Sequence, residues 1–147
     1  MGGSFIAEIQ EGPIDFHSCL QFLEDPATGA QVFFLGTVRN HGALEGEVEA
    51  IFYECHEPIA RRRLKVLAER MIERFRALKV VLVHRTGRLG LGEASVLVAV
   101  SSPHREQAFK AVRYGIEQIK HTLPVWKKEI LKDRASRWVE GLPLESP

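Results

Sequence analysis

KVVLVHRTGRLGLGEASVLVAVSSP, residues 79–103, decides the fold. Lys79 to Thr86 is rich in β-branched residues and reads as a strand. Gly87, Gly90 and Gly92 punctuate the segment that follows, which reads as a turn. Ala94 to Ser101 reads as a second strand. A long helix is then expected to open at Pro103, a favoured first helical position, with Ser102 as its N-cap. Its apolar stripe is Ala108, Ala111, Val112, Gly115, Ile116 and Ile119, and Pro124 ends it.

Upstream lies another amphipathic helix, from about Glu57 to Arg76. Ala60, Leu64, Leu67, Ala68, Met71, Ile72 and Phe75 make its apolar stripe. The Arg61-Arg62-Arg63 run on it reads as a solvated face. Before it come strands at 5–10, 31–38 and 48–54, and a short helix from Ile14 to Leu23 with Asp15 in its first turn. Asp25-Pro26-Ala27-Thr28-Gly29 is a turn, and Arg39 to Gly46 is a polar loop with two glycines. From Val125 onward the pattern is mixed, with Arg137-Trp138-Val139 as a candidate last strand. The expected order is β-α-β-β-α-β-β-α-β. The expected class is α+β, a single-domain sandwich of a mostly antiparallel sheet with helices packed on one side. The domain is expected to span 1–147, with its core at about 5–140.

Composition narrows the function. At 45% hydrophobic and 27% charged, the 147 residues are ordinary for a globular protein. A net charge of +1 argues against a nucleic-acid module, which is usually strongly basic. No apolar run approaches the roughly 18 residues of a membrane span. No signal peptide is read at Met1-Gly2-Gly3-Ser4, so the expected location is the cytoplasm. Cys19 and Cys55 match no metal-ligand spacing and are expected as free thiols.

Charge is unevenly spread. Between Pro103 and Trp138 stand nine Lys/Arg, Arg134 among them, and four acids, a surplus of five. That is where an anion is expected. His104 and Arg105 lie at the start of a predicted helix, whose free N–H groups attract anions. Lys120 and Lys127 flank Pro124, which stops the helix and lets both turn toward one pocket. A lysine beside other cations has a lowered pKa and can act as nucleophile or base. By spacing alone, however, such residues also suit helix-dipole and solubility roles. Trp126 reads as a packing residue rather than a platform for bases. Arg39-Asn40-His41-Gly42, after a buried strand, is a plausible ligand loop.

Six stretches occur in an order that resembles the large-subunit family of molybdopterin synthases, the MoaE-like proteins. They are Phe34-Leu35-Gly36-Thr37-Val38-Arg39-Asn40-His41, Phe52-Tyr53-Glu54, His84-Arg85-Thr86-Gly87, Ser102-Pro103-His104-Arg105, Pro124-Val125-Trp126-Lys127-Lys128-Glu129 and Arg137-Trp138-Val139. The resemblance covers about Ile6 to Glu140. It implies a MoaE-like α/β hammerhead fold. It also implies a sulfurtransferase that converts cyclic pyranopterin monophosphate to molybdopterin, placing two sulfurs to form the dithiolene. The implied donor is a small ubiquitin-like subunit ending in a Gly-Gly thiocarboxylate. The implied assembly is a heterotetramer built on a homodimer of large subunits. No cofactor or metal is implied, and the partners include neither nucleic acid nor membrane.

Carried over by the resemblance are Lys120 and Lys127 as catalytic residues. Arg39, His104 and Arg105 go to phosphate and pterin binding, with Thr37, Val38, Lys128 and Glu129 lining the same pocket. Lys120 is expected beside the thiocarboxylate. Lys127 is expected to help open the cyclic phosphate or protonate the leaving oxygen. Two departures are visible: Cys55-His56-Glu57-Pro58-Ile59-Ala60 lacks a methionine frequent in the family, and Thr37 stands where some relatives carry lysine. Two rival readings are a basic-faced binding module, marked by steep salt dependence, and a persulfide carrier using Cys55 beside His56.

Overall fold

The computed structural model describes residues 3–133, 136–141 and 144. Met1 and Gly2 of the leader reading and Arg134 of the basic cluster lie outside them. The chain order is β1 (Ser4–Gln10), α1 (Phe16–Leu23), β2 (Ala30–Thr37), β3 (Val48–Cys55), α2 (Glu57–Phe75), β4 (Lys79–Arg85), β5 (Gly87–Gly90), β6 (Ala94–Ser102), α3 (Arg105–Thr122), β7 (Val125–Leu131) and β8 (Ser136–Trp138).

The α+β class holds, but the strands divide into two four-stranded sheets, ordered β1-β4-β6-β2 and β5-β3-β7-β8. Among the described residues only β1 and β4 pair in parallel, and every other pairing is antiparallel. The chain crosses from the first sheet to the second at Thr86, where Gly87 takes φ +88°, a left-handed conformation that glycine adopts without strain. The glycine-punctuated turn is therefore partly a strand. β5 pairs with β3 from Gly87 to Gly90 and drives Leu89 fully into the core.

The first sheet is covered on both faces. Val80, Leu82, Val98 and Val100 pack against α2 and α3 through Leu64, Met71 and Ala111. Val81, Val83, Leu97 and Ala99 pack on the other face against Cys19 and Leu23 of α1. The expectation of helices on one side fails for α1. Burial on both faces requires the near-continuous apolar runs of β4 and β6. Fully buried Leu64, Leu82 and Leu97 each contribute roughly 1.5–3 kcal/mol relative to exposure.

Helix starts also differ from expectation. Asp15 is the N-cap of α1, not a first-turn residue: its carboxylate accepts from Ser18 N at 3.1 Å and Ser18 Oγ at 2.7 Å. In α3 the N-cap is His104 rather than Ser102, which is still in β6 opposite Ala30. The Arg61–Arg63 run is not uniformly solvated. Arg61 pairs with Glu57 and donates to Ile9 O at 3.0 Å, and half-buried Arg63 donates to Thr122 O. Among the described residues no helix is long and apolar enough to cross a membrane.

Candidate functional site

The site is built where α3 gives way to β7. Lys120 lies in the last turn of α3, where the negative end of the helix dipole favours a cation. Pro124 has no N–H to extend the helix. After Leu123 and Pro124 the chain leaves as β7, pairing Val125 with Cys55 and Lys127 with Tyr53. Side chains alternate along a strand, so Lys127, Glu129 and Leu131 share one face while Trp126 and Lys128 point the other way.

Lys127 is half-buried, and its ammonium is held below the ordinary lysine range. Burial is the main cause. The nearby Glu129 carboxylate pulls the other way, and the positive charges of Lys120 and Arg39 push it lower still. Two cations, Lys120 from α3 and Arg39 from the 39–47 segment, thus act on the half-buried amine that β7 contributes.

Arg39 is exposed and directly follows Val38, whose side chain is buried in the core between the second sheet and its loops. The Val38 backbone is fixed as well: its N–H donates to Glu93 O at 3.0 Å and its carbonyl accepts from Gly92 N at 2.8 Å. Val38 therefore positions Arg39 and presents neither side chain nor free amide. Thr37 is exposed at the end of β2, beside a register shift in its pairing with β6.

Three expected members sit elsewhere. Lys128 is on the opposite face from Lys127, over the rings of Phe52 at 5.4 Å and Trp138 at 5.2 Å. His104 and Arg105 are exposed at the N-terminus of α3, and fifteen helical rises separate Arg105 from Lys120, about 22 Å. Within one chain they do not join the lysines. Trp126, expected to pack, is 44% exposed. Glu129 is only 1% exposed, and its two oxygens accept from Ala43 N at 3.2 Å and Leu44 N at 3.1 Å.

A buried polar set behind the site was not singled out as functional. Tyr53 sits edge-on to His84, ring centroids 5.2 Å apart. Burial raises the Tyr53 phenol, against a hydrogen bond with Ser95, and the Glu129 charge raises it further. Burial holds His84 neutral, with Nδ1–H donating to Arg85 O at 2.8 Å. The signal was a histidine and an arginine ending an otherwise apolar strand.

Other surfaces fit an anion or an activated thiol poorly. The groove bounded by Phe52, Tyr53 and Thr86 carries Glu11, Glu54 and Glu57 against one cation, Arg88. Burial and the Glu57 charge push the Cys55 thiol up, the reverse of an activated thiolate. Among the described residues no cluster of three His, Cys, Asp or Glu side chains is placed to hold a metal.

Known proteins share this arrangement of elements. The chain is 36% identical to the molybdopterin synthase catalytic subunit of Dictyostelium discoideum, over 91% of this chain and 85% of that one. It is 38% identical to the catalytic subunit of Bacillus subtilis, over 90% and 83%. Its fold matches the crystal structure of molybdopterin synthase from Staphylococcus aureus with a TM-score of 0.84 at 36% identity, covering 91% of this chain and 96% of that one. The MoaE protein family model matches residues 9–122, from the buried end of β1 to the last residue of α3. On these grounds the chain belongs to the MoaE family.

Proposed function

We propose that this chain is the catalytic subunit of a molybdopterin synthase. It binds cyclic pyranopterin monophosphate and receives two sulfurs, one at a time, from the C-terminal thiocarboxylate of a small ubiquitin-like subunit. The observation that carries this reading is the convergence of Arg39 and Lys120 on half-buried Lys127. A phosphate-bearing substrate and an anionic sulfur donor both require such a cationic centre. Lys120, exposed at the helix end, stabilises the thiocarboxylate while its sulfur bonds to a substrate carbon and water cleaves the acyl carbon–sulfur bond, leaving the sulfur on the pterin and a carboxylate on the partner. Lys127, partly desolvated, donates a proton to the oxygen that leaves when the cyclic phosphate opens, help worth roughly 10²–10⁴ in rate. Sulfur arrives on the partner, so neither Cys19 nor Cys55 takes part. A reducing cytoplasm suits both the donor and two free thiols.

The 22 Å spacing along α3 gives the second copy of the chain a task. His104 and Arg105 reach the substrate phosphate only from the α3 N-terminus of the other large subunit. β2 lies at a sheet edge with Phe33, Phe34 and Leu35 exposed, an apolar edge that a second copy covers. Thr37, at the end of that strand, then lies between the copies.

The test is reconstitution of this chain with a thiocarboxylated small subunit and the cyclic pterin, assayed for molybdopterin. Lys120→Ala is expected to abolish turnover with partner binding intact, and Arg39→Ala to raise KM. Mixing Lys120→Ala with Arg105→Ala chains is expected to restore part of the turnover. Near-normal product from Lys120→Ala would overturn the catalytic assignment; no rescue on mixing would remove the shared site.

A further inference from the structure

We infer that Glu129 is a positioning residue: its buried carboxylate clips the 39–47 loop to β7 and so holds Arg39 beside Lys127, with Gly42 kept small to admit it. The inference rests on the proposed role of Arg39 and Lys127. A carboxylate that is 1% exposed persists only when its oxygens are hydrogen-bonded. Here Oε2 accepts from Ala43 N and Oε1 from Leu44 N, two successive amides of the loop. Both oxygens are therefore committed to backbone rather than to substrate. A Cβ at Gly42 would run into Oε2 of the same carboxylate. Two of the loop's other anchors are Val48 N donating to Asn40 O at 2.8 Å and the fixed backbone of Val38. Arg39 lies between those two tethers, and Glu129 closes the loop beyond them.

The clip also has an electrical consequence. Glu129 stands two residues from Lys127 on the same face of β7, while Lys120 from α3 and Arg39 from the loop bring like charge to that amine. Glu129 offsets part of their repulsion. One side chain thus fixes where Arg39 stands and how firmly Lys127 keeps its proton.

The experiment uses the full chain in three variants: Glu129→Ala, Glu129→Gln and Gly42→Ala. Amide exchange at Ala43 and Leu44, read on the chain alone, is expected to speed up roughly ten- to a hundredfold in Glu129→Ala and Gly42→Ala, the range for losing a charge-assisted hydrogen bond. In the reconstituted synthase, KM for the cyclic pterin should rise toward that of Arg39→Ala in both. The basic limb of the pH profile should move to lower pH in Glu129→Ala and Glu129→Gln, which lack the anion, and stay in Gly42→Ala, which keeps it. A role confined to stability would not separate the variants this way. If Glu129→Ala fails to fold, Glu129→Gln and Gly42→Ala carry the test. Unchanged exchange at both amides overturns the clip, as does faster exchange with KM and the basic limb unmoved. Faster exchange in a chain that makes no molybdopterin in any form would instead sink the functional reading and leave the clip standing.

Discussion

Arg63 of α2 donates from Nη1 to the carbonyl of Thr122, the last residue of α3, at 2.5 Å. That carbonyl has lost its helical donor, because the chain turns at Leu123 and Pro124 into β7, where Trp126 pairs with Glu54. A guanidinium from the neighbouring helix thus caps α3 two residues beyond Lys120. Arg63→Ala removes a charged donor and leaves a buried carbonyl unpaired. Unfolding in urea should show a loss of roughly 1.5–3 kcal/mol. An unchanged midpoint would mean that water replaces the guanidinium at no cost.

Lys127 sets a pH dependence whose sign is fixed by its proposed role. Its ammonium loses its proton below the ordinary value of 10.5. If the proton is delivered to the leaving oxygen, turnover is full while Lys127 is charged and falls as pH rises through the lowered value. Lys127→Arg, charged at every accessible pH, should lose activity at neutral pH through its poorer fit and weaker acidity, and lack that basic limb. A pH profile of kcat/KM for both proteins decides it. Should the basic limb persist in Lys127→Arg, another group carries it.

How much of this was legible follows from which residues speak for themselves. α2 and α3 were legible because their apolar stripes are long and periodic. β7 was not: its inward positions include Lys127 and Glu129, so the buried face looks polar. The family resemblance brought Lys128 to the same pocket as Lys127, whereas strand alternation in β7 sends it to Phe52 and Trp138. β5 was hidden because four residues bracketed by glycines look like a turn until β3 supplies a partner for Leu89. Division into two sheets depends on pairings distant in sequence, which no local pattern encodes. A polar loop after a buried strand and a helix-stopping proline mark Arg39, Lys120 and Lys127 only as candidates, and their roles come from the family resemblance. That α3 holds Arg105 far from Lys120 follows from helix length alone.

His84 makes the fold sensitive to acid. Buried at the end of β4, it is held neutral in the folded protein, whereas unfolded histidine takes a proton near 6.5. The unfolded state therefore binds more protons below that value. Stability is unaffected by His84 above it and declines as pH drops through it toward the lowered folded value. His84→Asn keeps a donor for Arg85 O and cannot titrate. Urea midpoints from about pH 8 to about pH 5 should fall less steeply in His84→Asn than in the parent. Parallel slopes would assign the acid sensitivity to other groups.

Gly115 sets how closely α3 approaches the first sheet and α2. In helix interiors alanine is ordinarily better than glycine by about 1 kcal/mol. Here a Cβ would lie 2.8 Å from Met71 Cε and 2.9 Å from Val98 Cγ1, both on fully buried side chains. Overpacking of that kind costs typically about 1–3 kcal/mol. The clash outweighs the propensity, so Gly115→Ala should lower the unfolding temperature. Because one clash is with the flexible end of Met71, a Met71→Ala background should absorb part of the loss. A double-mutant cycle on urea midpoints measures that coupling, expected to favour the pair over the sum of the single changes. A gain in stability from Gly115→Ala alone would show that Met71 repacks freely and that the close approach of the helix to the sheet does not depend on glycine.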